Sequence, residues 1–360
     1  MSKNVSDFAR RLLRWYDRSR RDLPWRTTAA RPGPLDPYHV LVSETMLQQT
    51  QVATVVPYFH QFVGRFPTLA DLAAADEQEV LRLWQGLGYY SRARNLQAAA
   101  RKVVSDYGGK LPSTRDELLK LPGIGRYTAG AIASIAFGQR APILDGNVMR
   151  VLCRIDKVAS DPRDRDTQAL LWARAEQLLP RRRVGDFNSA LMELGATVCT
   201  PRNPQCLVCP VQQHCKAFEA GVQDRIPVPR KTRPTPLIRR RTYCISHEGH
   251  WLIEQRPAKG RWAGMWQFTT IDPGEADHHA LLPVPVREAR KIGVVSHALT
   301  HRRYEFEVYV GCARGPNALP KKSPMRWVSL EGLEAFPLPR PHVLIAQMLC
   351  QLGTRGSPHA

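Results

Sequence analysis

The stretch Leu121-Pro122-Gly123-Ile124-Gly125-Arg126-Tyr127-Thr128-Ala129-Gly130-Ala131 lies between two segments of helical periodicity, 115–121 and 126–137. Pro122 ends the first helix, and two glycines permit a tight reversal of the chain. The second helix then begins near Arg126 with its first N–H groups unpaired and facing outward. Such an end attracts a phosphate oxygen without reading sequence. Gly123 and Gly125 are therefore candidate phosphate-binding positions in a hairpin spanning about 116–137.

Outward from this hairpin, residues 1–220 read as helical. Ser6 can cap a first helix carrying Phe8, Leu12, Leu13 and Tyr16 at helical spacing. The same period recurs over 40–58, 69–83, 92–107, 148–155, 167–179 and 187–196, with Gly and Pro punctuating the breaks. Trp15, Trp84 and Trp172 have apolar neighbours and read as core. From Gly221 to Arg241 four Pro and seven Lys or Arg stand against one Asp. That composition predicts an extended basic linker over 221–236. Beyond it the period changes to two, with strand candidates at 241–246, 251–255, 304–310 and 326–330 and a closing helix at 341–352. Residues 237–352 thus form an expected α+β domain.

The chain has 360 residues, a two-domain length, and 43% hydrophobic residues, which excludes a disordered protein. Its formal charge is +20. A surplus of that size favours a polyanion as partner, nucleic acid ahead of an anionic membrane surface. No run reaches the roughly 18 apolar residues of a membrane span, and the N-terminus carries no secretory signal. The expected location is the cytoplasm, in contact with DNA. Among eight cysteines, Cys153, Cys244, Cys312 and Cys350 are isolated and read as small core residues. Cys199, Cys206, Cys209 and Cys215 follow the pattern C-x6-C-x2-C-x5-C. Thiolates so close can converge on one centre, and their uneven gaps suit a [4Fe–4S] cubane better than the paired knuckles of a zinc site.

Two acids draw attention. Glu44, in Ser43-Glu44-Thr45-Met46-Leu47-Gln48-Gln49-Thr50, shares a helix face with Val40, Leu41 and Leu47. Desolvation there raises a carboxyl pKa, so Glu44 could hold a proton at neutral pH; a capping or Arg-paired Glu is the plainer alternative. Asp145, in Leu144-Asp145-Gly146-Asn147-Val148, precedes a helix and reads alone as a turn or cap. One protonated and one ionised carboxylate are also the equipment for cleaving a glycosidic bond.

Together the Glu44 segment, Gly86-Leu87-Gly88-Tyr89-Tyr90-Ser91-Arg92-Ala93-Arg94, the hairpin, Asp145-Gly146-Asn147-Val148 and the four cysteines resemble the MutY adenine DNA glycosylases. These form a branch of the endonuclease III-like, helix-hairpin-helix superfamily. The resemblance implies a base-excision repair enzyme that removes adenine opposite 8-oxoguanine or guanine from double-stranded DNA, acting as a monomer. It also implies a [4Fe–4S] cluster. It makes Glu44 the general acid toward adenine N7 and Asp145 the carboxylate that stabilises the cationic sugar. Asn147 and Tyr127 position them, Arg26 and Ser189 line the adenine pocket, and Gln49 and Tyr89 insert near the oxidised base.

Residues 237–352 resemble a MutT-like (Nudix-fold) module through Leu252–Arg256 and Trp262–Phe268. Arg287-Glu288-Ala289-Arg290-Lys291 lacks the run of Glu that binds metal there, which implies recognition of 8-oxoguanine without diphosphate hydrolysis. Ser296 and His297, in Val295-Ser296-His297, match the loop that senses the oxidised base, with Val in place of Phe weakening an intercalating contact. Lyase-competent relatives carry Lys where this chain has Tyr127, so base removal without strong strand cleavage is expected. Ser189 stands where Gln or Glu is common and is too short for the same contact. Competing readings are an endonuclease III-like lyase acting on oxidised pyrimidines and a non-catalytic iron–sulfur DNA-binding module.

Overall fold

The computed structural model describes residues 3–26, 33, 35–228, 234–272, 274, 281–299, 301–314, 319 and 324–354. The chain divides into two compact units. One comprises Met1–Ala74 with Asn95–Thr232, the other Ala75–Arg94 with Arg233–Ala360. The reading from sequence kept residues 75–94 with the helical domain. The basic linker reading falls partly on 229–233, outside the described residues.

The first unit contains the helices α1 (Lys3–Ser19), α2 (Pro37–Leu47), α3 (Val52–Arg65) and α4 (Leu69–Ala74). α5 (Glu77–Leu83) belongs to the second unit, and α6 (Ser91–Tyr107) begins there and continues into the first. Then follow α7 (Arg115–Leu118), α8 (Arg126–Ile135), α9 (Gly146–Asp156), α10 (Arg165–Leu178), α11 (Val184–Thr197) and α12 (Lys216–Glu219). The first helix already includes Lys3 and runs through Ser6, so Ser6 does not cap it. The expected helix 40–58 is two. α2 ends at Leu47, Gln49 turns left-handed with φ 58°, and α3 starts after Gln51. No Gly or Pro between 48 and 51 announces that break.

α2 is buried almost all round, from Tyr38 through Met46. Asp36 caps it by accepting from the Tyr38 N–H at 2.8 Å, with Pro37 preset for a first helical turn. The Ser43 and Thr45 hydroxyls bond back to the carbonyls of Val40 and Leu41, and between them Glu44 brings a carboxyl into this apolar setting. α11 packs on α1, α8 and α9. Phe8, Leu12, Val151, Leu152, Phe187, Leu191 and Leu194 join in one core. Each such side chain contributes about 1.5–3 kcal/mol of transfer free energy. Two close approaches need glycine. A Cβ on Gly130 would lie 2.3 Å from the Pro142 carbonyl oxygen, and one on Gly195 would lie 2.6 Å from Asn147 Cβ.

The second unit is a six-stranded sheet of β1 (Leu237–His247), β2 (His250–Gln255), β3 (Trp266–Ile271), β4 (Val286–Leu299), β5 (Arg302–Ala313) and β6 (Met325–Val328). Its order is β4-β5-β1-β3-β2-β6. Among the described residues the β1–β5 pair is parallel and the other pairs are antiparallel. α13 (Arg340–Thr354) packs on β4, and Phe268, Phe306, Ile345 and Leu349 share its core. Residues 75–94 bind here through Gln78, whose amide donates to Gly264 O at 3.1 Å and accepts from Trp266 Nε1 at 3.0 Å. Trp84 is fully buried and Trp172 nearly so, while Trp15 is half-buried. Cys153 and Cys244 are buried, but Cys312 and Cys350 are exposed and do not serve as core.

Candidate active site

One face of α2 from Val40 to Leu47, the turn after it, the start of α8 and one face of α11 surround a cavity of about 810 Å³. That volume suits a small organic group with part of its backbone. Arg26, Glu44, Gln49, Tyr127, Asp145, Asn147 and Ser189, all expected from sequence, line it together. So do Arg21, Met192 and Glu193, which the sequence reading missed. The available signal was spacing, since Ser189, Met192 and Glu193 are three and four apart on α11 and share one face.

Glu44 is 4% exposed. Tyr127 of α8 donates its hydroxyl to Glu44 Oε2 at 2.6 Å and lies 3.1 Å from Met192 Sδ. Burial pushes the Glu44 carboxyl up to about 7; the Tyr127 hydrogen bond opposes this, the charge of Asp145 adds to it, and Arg26 opposes it. Burial likewise holds the Tyr127 phenol far above its ordinary range, so it stays a neutral donor. Asp145 caps α9, accepting from Val148 N at 2.7 Å and from Asn147 Nδ2 at 3.1 Å. Burial raises its carboxyl too, and outweighs these donors and the charge of Arg150, which pull the other way. The two acids thus share a cavity in unlike settings. One is desolvated against a single phenol, while the other sits on a helix N-terminus with several donors.

Arg26 is held by Glu193 Oε2 at 2.9 Å and by the Arg21 carbonyl at 3.3 Å, with its guanidinium 5.6 Å from the Tyr16 ring centre. Ser189 shares a hydrogen bond with the Tyr16 hydroxyl. The short side chain therefore has a partner within the protein. Gln49 reaches the cavity because of the break after α2.

Gly123 and Gly125 do not line this cavity, although Tyr127 and Ile135 of the same hairpin do. Gly123 has φ 75°, and a Cβ there would meet Asn95 Cβ at 2.5 Å, so glycine is required. Gly125, the N-cap of α8, is extended and opens on empty space, so the expectation that both glycines serve the turn is corrected. Arg126 just after it stacks 3.9 Å from the Trp172 ring centre. Tyr89, Ser296 and His297 belong to the second unit. Tyr89 is 43% exposed with a left-handed backbone, φ 46°. Ser296 and His297 lie on β4 opposite Glu305 and Tyr304, and the His297 ring approaches Trp262 at 6.2 Å. Burial, then Arg340, keeps His297 below its ordinary pKa and neutral. Val295 is buried in the core of this unit, so it does not project as a wedge. Arg287–Lys291 lie on the same strand.

Cys199, Cys206, Cys209 and Cys215 line one pocket below α9 and α11. Among the described residues no group of His, Cys, Asp or Glu converges tightly enough for a single metal ion. Four thiols around one pocket can each take one corner of an iron–sulfur cubane. Burial raises the Cys206, Cys209 and Cys215 thiols, Cys209 to about 12, so holding a cluster as thiolates would require them to give up their protons. Buried Arg154 donates to Cys199 Sγ at 3.3 Å and to Thr200 O at 2.7 Å. Arg150, one turn earlier on α9, donates to Cys199 O, Gly195 O and Asn147 Oδ1, each at 2.8 Å. The cysteine loop and the Asp145 end of α9 are thereby tied to one helix.

Residues 42–177 match the HhH-GPD superfamily of base excision DNA repair proteins, 199–215 the iron-sulfur binding domain of endonuclease III, and 242–348 the NUDIX domain. The thermostable thymine-DNA glycosylase structure aligns with a TM-score of 0.54 and 33% identity, over 61% of this chain and 98% of that one. The adenine DNA glycosylase of Rattus norvegicus is 41% identical across 91% of this chain and 75% of its own length. That of Buchnera aphidicola subsp. Schizaphis graminum is 31% identical across 93% and 96%. With a cavity that pairs two acids and a loop built for an iron–sulfur cluster, this chain belongs to the adenine DNA glycosylase family.

Proposed function

We infer that this enzyme hydrolyses the N-glycosidic bond of adenine opposite 8-oxoguanine or guanine in double-stranded DNA, as a monomer at the nucleoid of a bacterial cytoplasm. The observation that carries the reading is the placement of Glu44 and Asp145 in one cavity with different donors, the Tyr127 hydroxyl on Glu44 and the Val148 N–H and Asn147 amide on Asp145. The glycosidic bond is out of reach inside the stack, so the nucleotide is extruded into the cavity. Glu44 gives its proton to adenine N7 as the C1′–N9 bond breaks and its electron pair leaves with the base. Asp145 stabilises the cation left on the sugar, held in place by Asn147 and the Val148 N–H. Tyr127 keeps Glu44 oriented. Water then adds to C1′ and its proton returns to Glu44. When bound, the [4Fe–4S] cluster supplies a rigid cross-link, held by Cys199, Cys206, Cys209 and Cys215.

The helical unit takes up phosphate at Gly123, Gly125 and the start of α8, while Arg26 and Ser189 line the adenine side. Gln49, Tyr89, Ser296 and His297 attend the opposite base, with 237–352 as the recognition domain, 1–220 as the glycosylase domain and 221–236 joining them. No lysine lines the cavity among the described residues, and a phenol forms no Schiff base, which disfavours a lyase reading.

The test uses duplexes holding A opposite 8-oxoguanine, G or T, with strand breaks scored before and after alkali. Breaks appearing mainly after alkali, and fastest opposite 8-oxoguanine, are expected. Equal breakage without alkali would overturn the monofunctional assignment, and no base loss from any duplex would overturn the activity.

A further inference from the structure

We propose that Glu193 is a positioning residue for the proton on Glu44: it fixes Arg26 at the wall of the cavity and cancels its charge. This rests on the reading of Glu44 as the acid.

The side chain of Glu193 is wholly out of solvent. Its Oε1 accepts from Arg21 N at 3.1 Å and Arg21 Nε at 2.7 Å, and its Oε2 from Arg21 Nη2 at 3.0 Å and Arg26 Nη2 at 2.9 Å. Burial would raise this carboxyl, but the two arginines overcome it and hold Glu193 ionised. An ionised carboxylate with four donors is a fixed charge, and Arg26, 13% exposed at its side chain, is fixed with it.

The groups that face Glu44 are Tyr127 from α8, Asp145 from the start of α9 and Arg26 from the segment after α1. Glu193 from α11 and Arg21 stand behind Arg26. Arg21 and Arg26 bring two positive charges, and Glu193 and Asp145 bring two negative ones. With Glu44 protonated the cavity is neutral. Neutralise Glu193 and the cavity gains a net positive charge, which Glu44 relieves by losing its proton. Arg26 already draws Glu44 in that direction, and the Glu193 carboxylate limits the pull. A charge sited 2.9 Å from the guanidinium, on a carboxylate that is itself out of solvent, is screened less than an exposed one. Among the described residues no hydrogen bond or ion pair joins Glu193 to Glu44, and its carboxylate is engaged by Arg21 and Arg26, so it acts through Arg26.

The test is the pH dependence of single-turnover adenine removal from an A·8-oxoguanine duplex. The parent should lose rate as pH rises through about 7. In Glu193→Gln this loss should begin about one pH unit lower, giving a rate about tenfold below the parent at pH 8 relative to each protein's own plateau at pH 5.5. Glu193→Asp keeps the charge on a shorter stem and should keep the parental midpoint even if its plateau falls. Adding Arg26→Met to Glu193→Gln removes the uncompensated cation and should return the midpoint toward the parent, at a lower overall rate. A merely structural role predicts altered plateaus with one shared midpoint, and that result overturns the proposal. So does equal displacement of the midpoint by Gln and Asp. If Glu44→Gln itself retains full excision, the reading of Glu44 fails instead, and the two failures are distinguishable.

Discussion

Glu44 occupies a position that costs the fold something. In the unfolded chain such a carboxyl ionises near 4.5, but in the folded protein near 7. Protonation therefore favours the folded state. The contribution of the neutral acid is complete below pH 4.5 and is lost as pH rises through about 7. That interval is worth roughly 3 kcal/mol. Glu44→Gln should accordingly be more stable than the parent at pH 8 by up to about 3 kcal/mol, with little difference at pH 5; denaturant unfolding at the two pH values measures it. A stability difference that does not change with pH would contradict the assignment. Glu44 was legible in the sequence because its apolar helix neighbours predict desolvation, and Asp145 because an acid before a helix predicts a cap. Glu193 and Arg21 were not legible, because their partners are 172 positions apart and only the closure of α11 onto the segment after α1 brings them together.

At the level of elements, the site depends on how closely α9 and α11 approach. Gly195 has no room for a side chain against Asn147, which in turn donates to Asp145. Gly195→Ala should displace Asn147 by a few tenths of an ångström or more, destabilise the protein by about 1–3 kcal/mol and slow excision at least tenfold. Melting temperature and single-turnover rate check both parts; a variant with parental rate would show that the approach does not matter. The helices of this unit were readable from period and punctuation. The break at 48–51 was not, because Gln49 adopts its left-handed conformation without glycine, under tertiary constraint. In the sheet, β1, β2, β5 and β6 were anticipated. β3 is buried on both faces and shows no alternation, and β4 carries two register irregularities that hide its period.

At the level of the whole molecule, the charge of +20 and the two units set separate duties. Duplex affinity should fall steeply with salt, since counterion release scales with the phosphates neutralised. In the function proposed above, Ser296 and His297 on β4 attend the oxidised base, with the chemistry in the helical unit. Ser296→Ala with His297→Ala should thus reduce the preference for A·8-oxoguanine over A·G about tenfold while leaving A·G excision within about twofold. Equal losses on both duplexes would refute this division. Composition made the polyanion partner legible, and the cysteine spacing made the cluster legible. The membership of residues 75–94 in the second unit was not, because it rests on single contacts such as Gln78 with Gly264 and Trp266.

The central claim is that one cavity holds a protonated Glu44 beside an ionised Asp145. It is tested most directly by carbon-13 carboxyl titration of the intact protein, with Glu44→Gln and Asp145→Asn used to assign the two resonances. The account predicts that the Glu44 signal titrates near pH 7 while Asp145 is already a carboxylate at that pH. A Glu44 carboxyl fully ionised at pH 5.5, or an Asp145 carboxyl still protonated at pH 7, would contradict it.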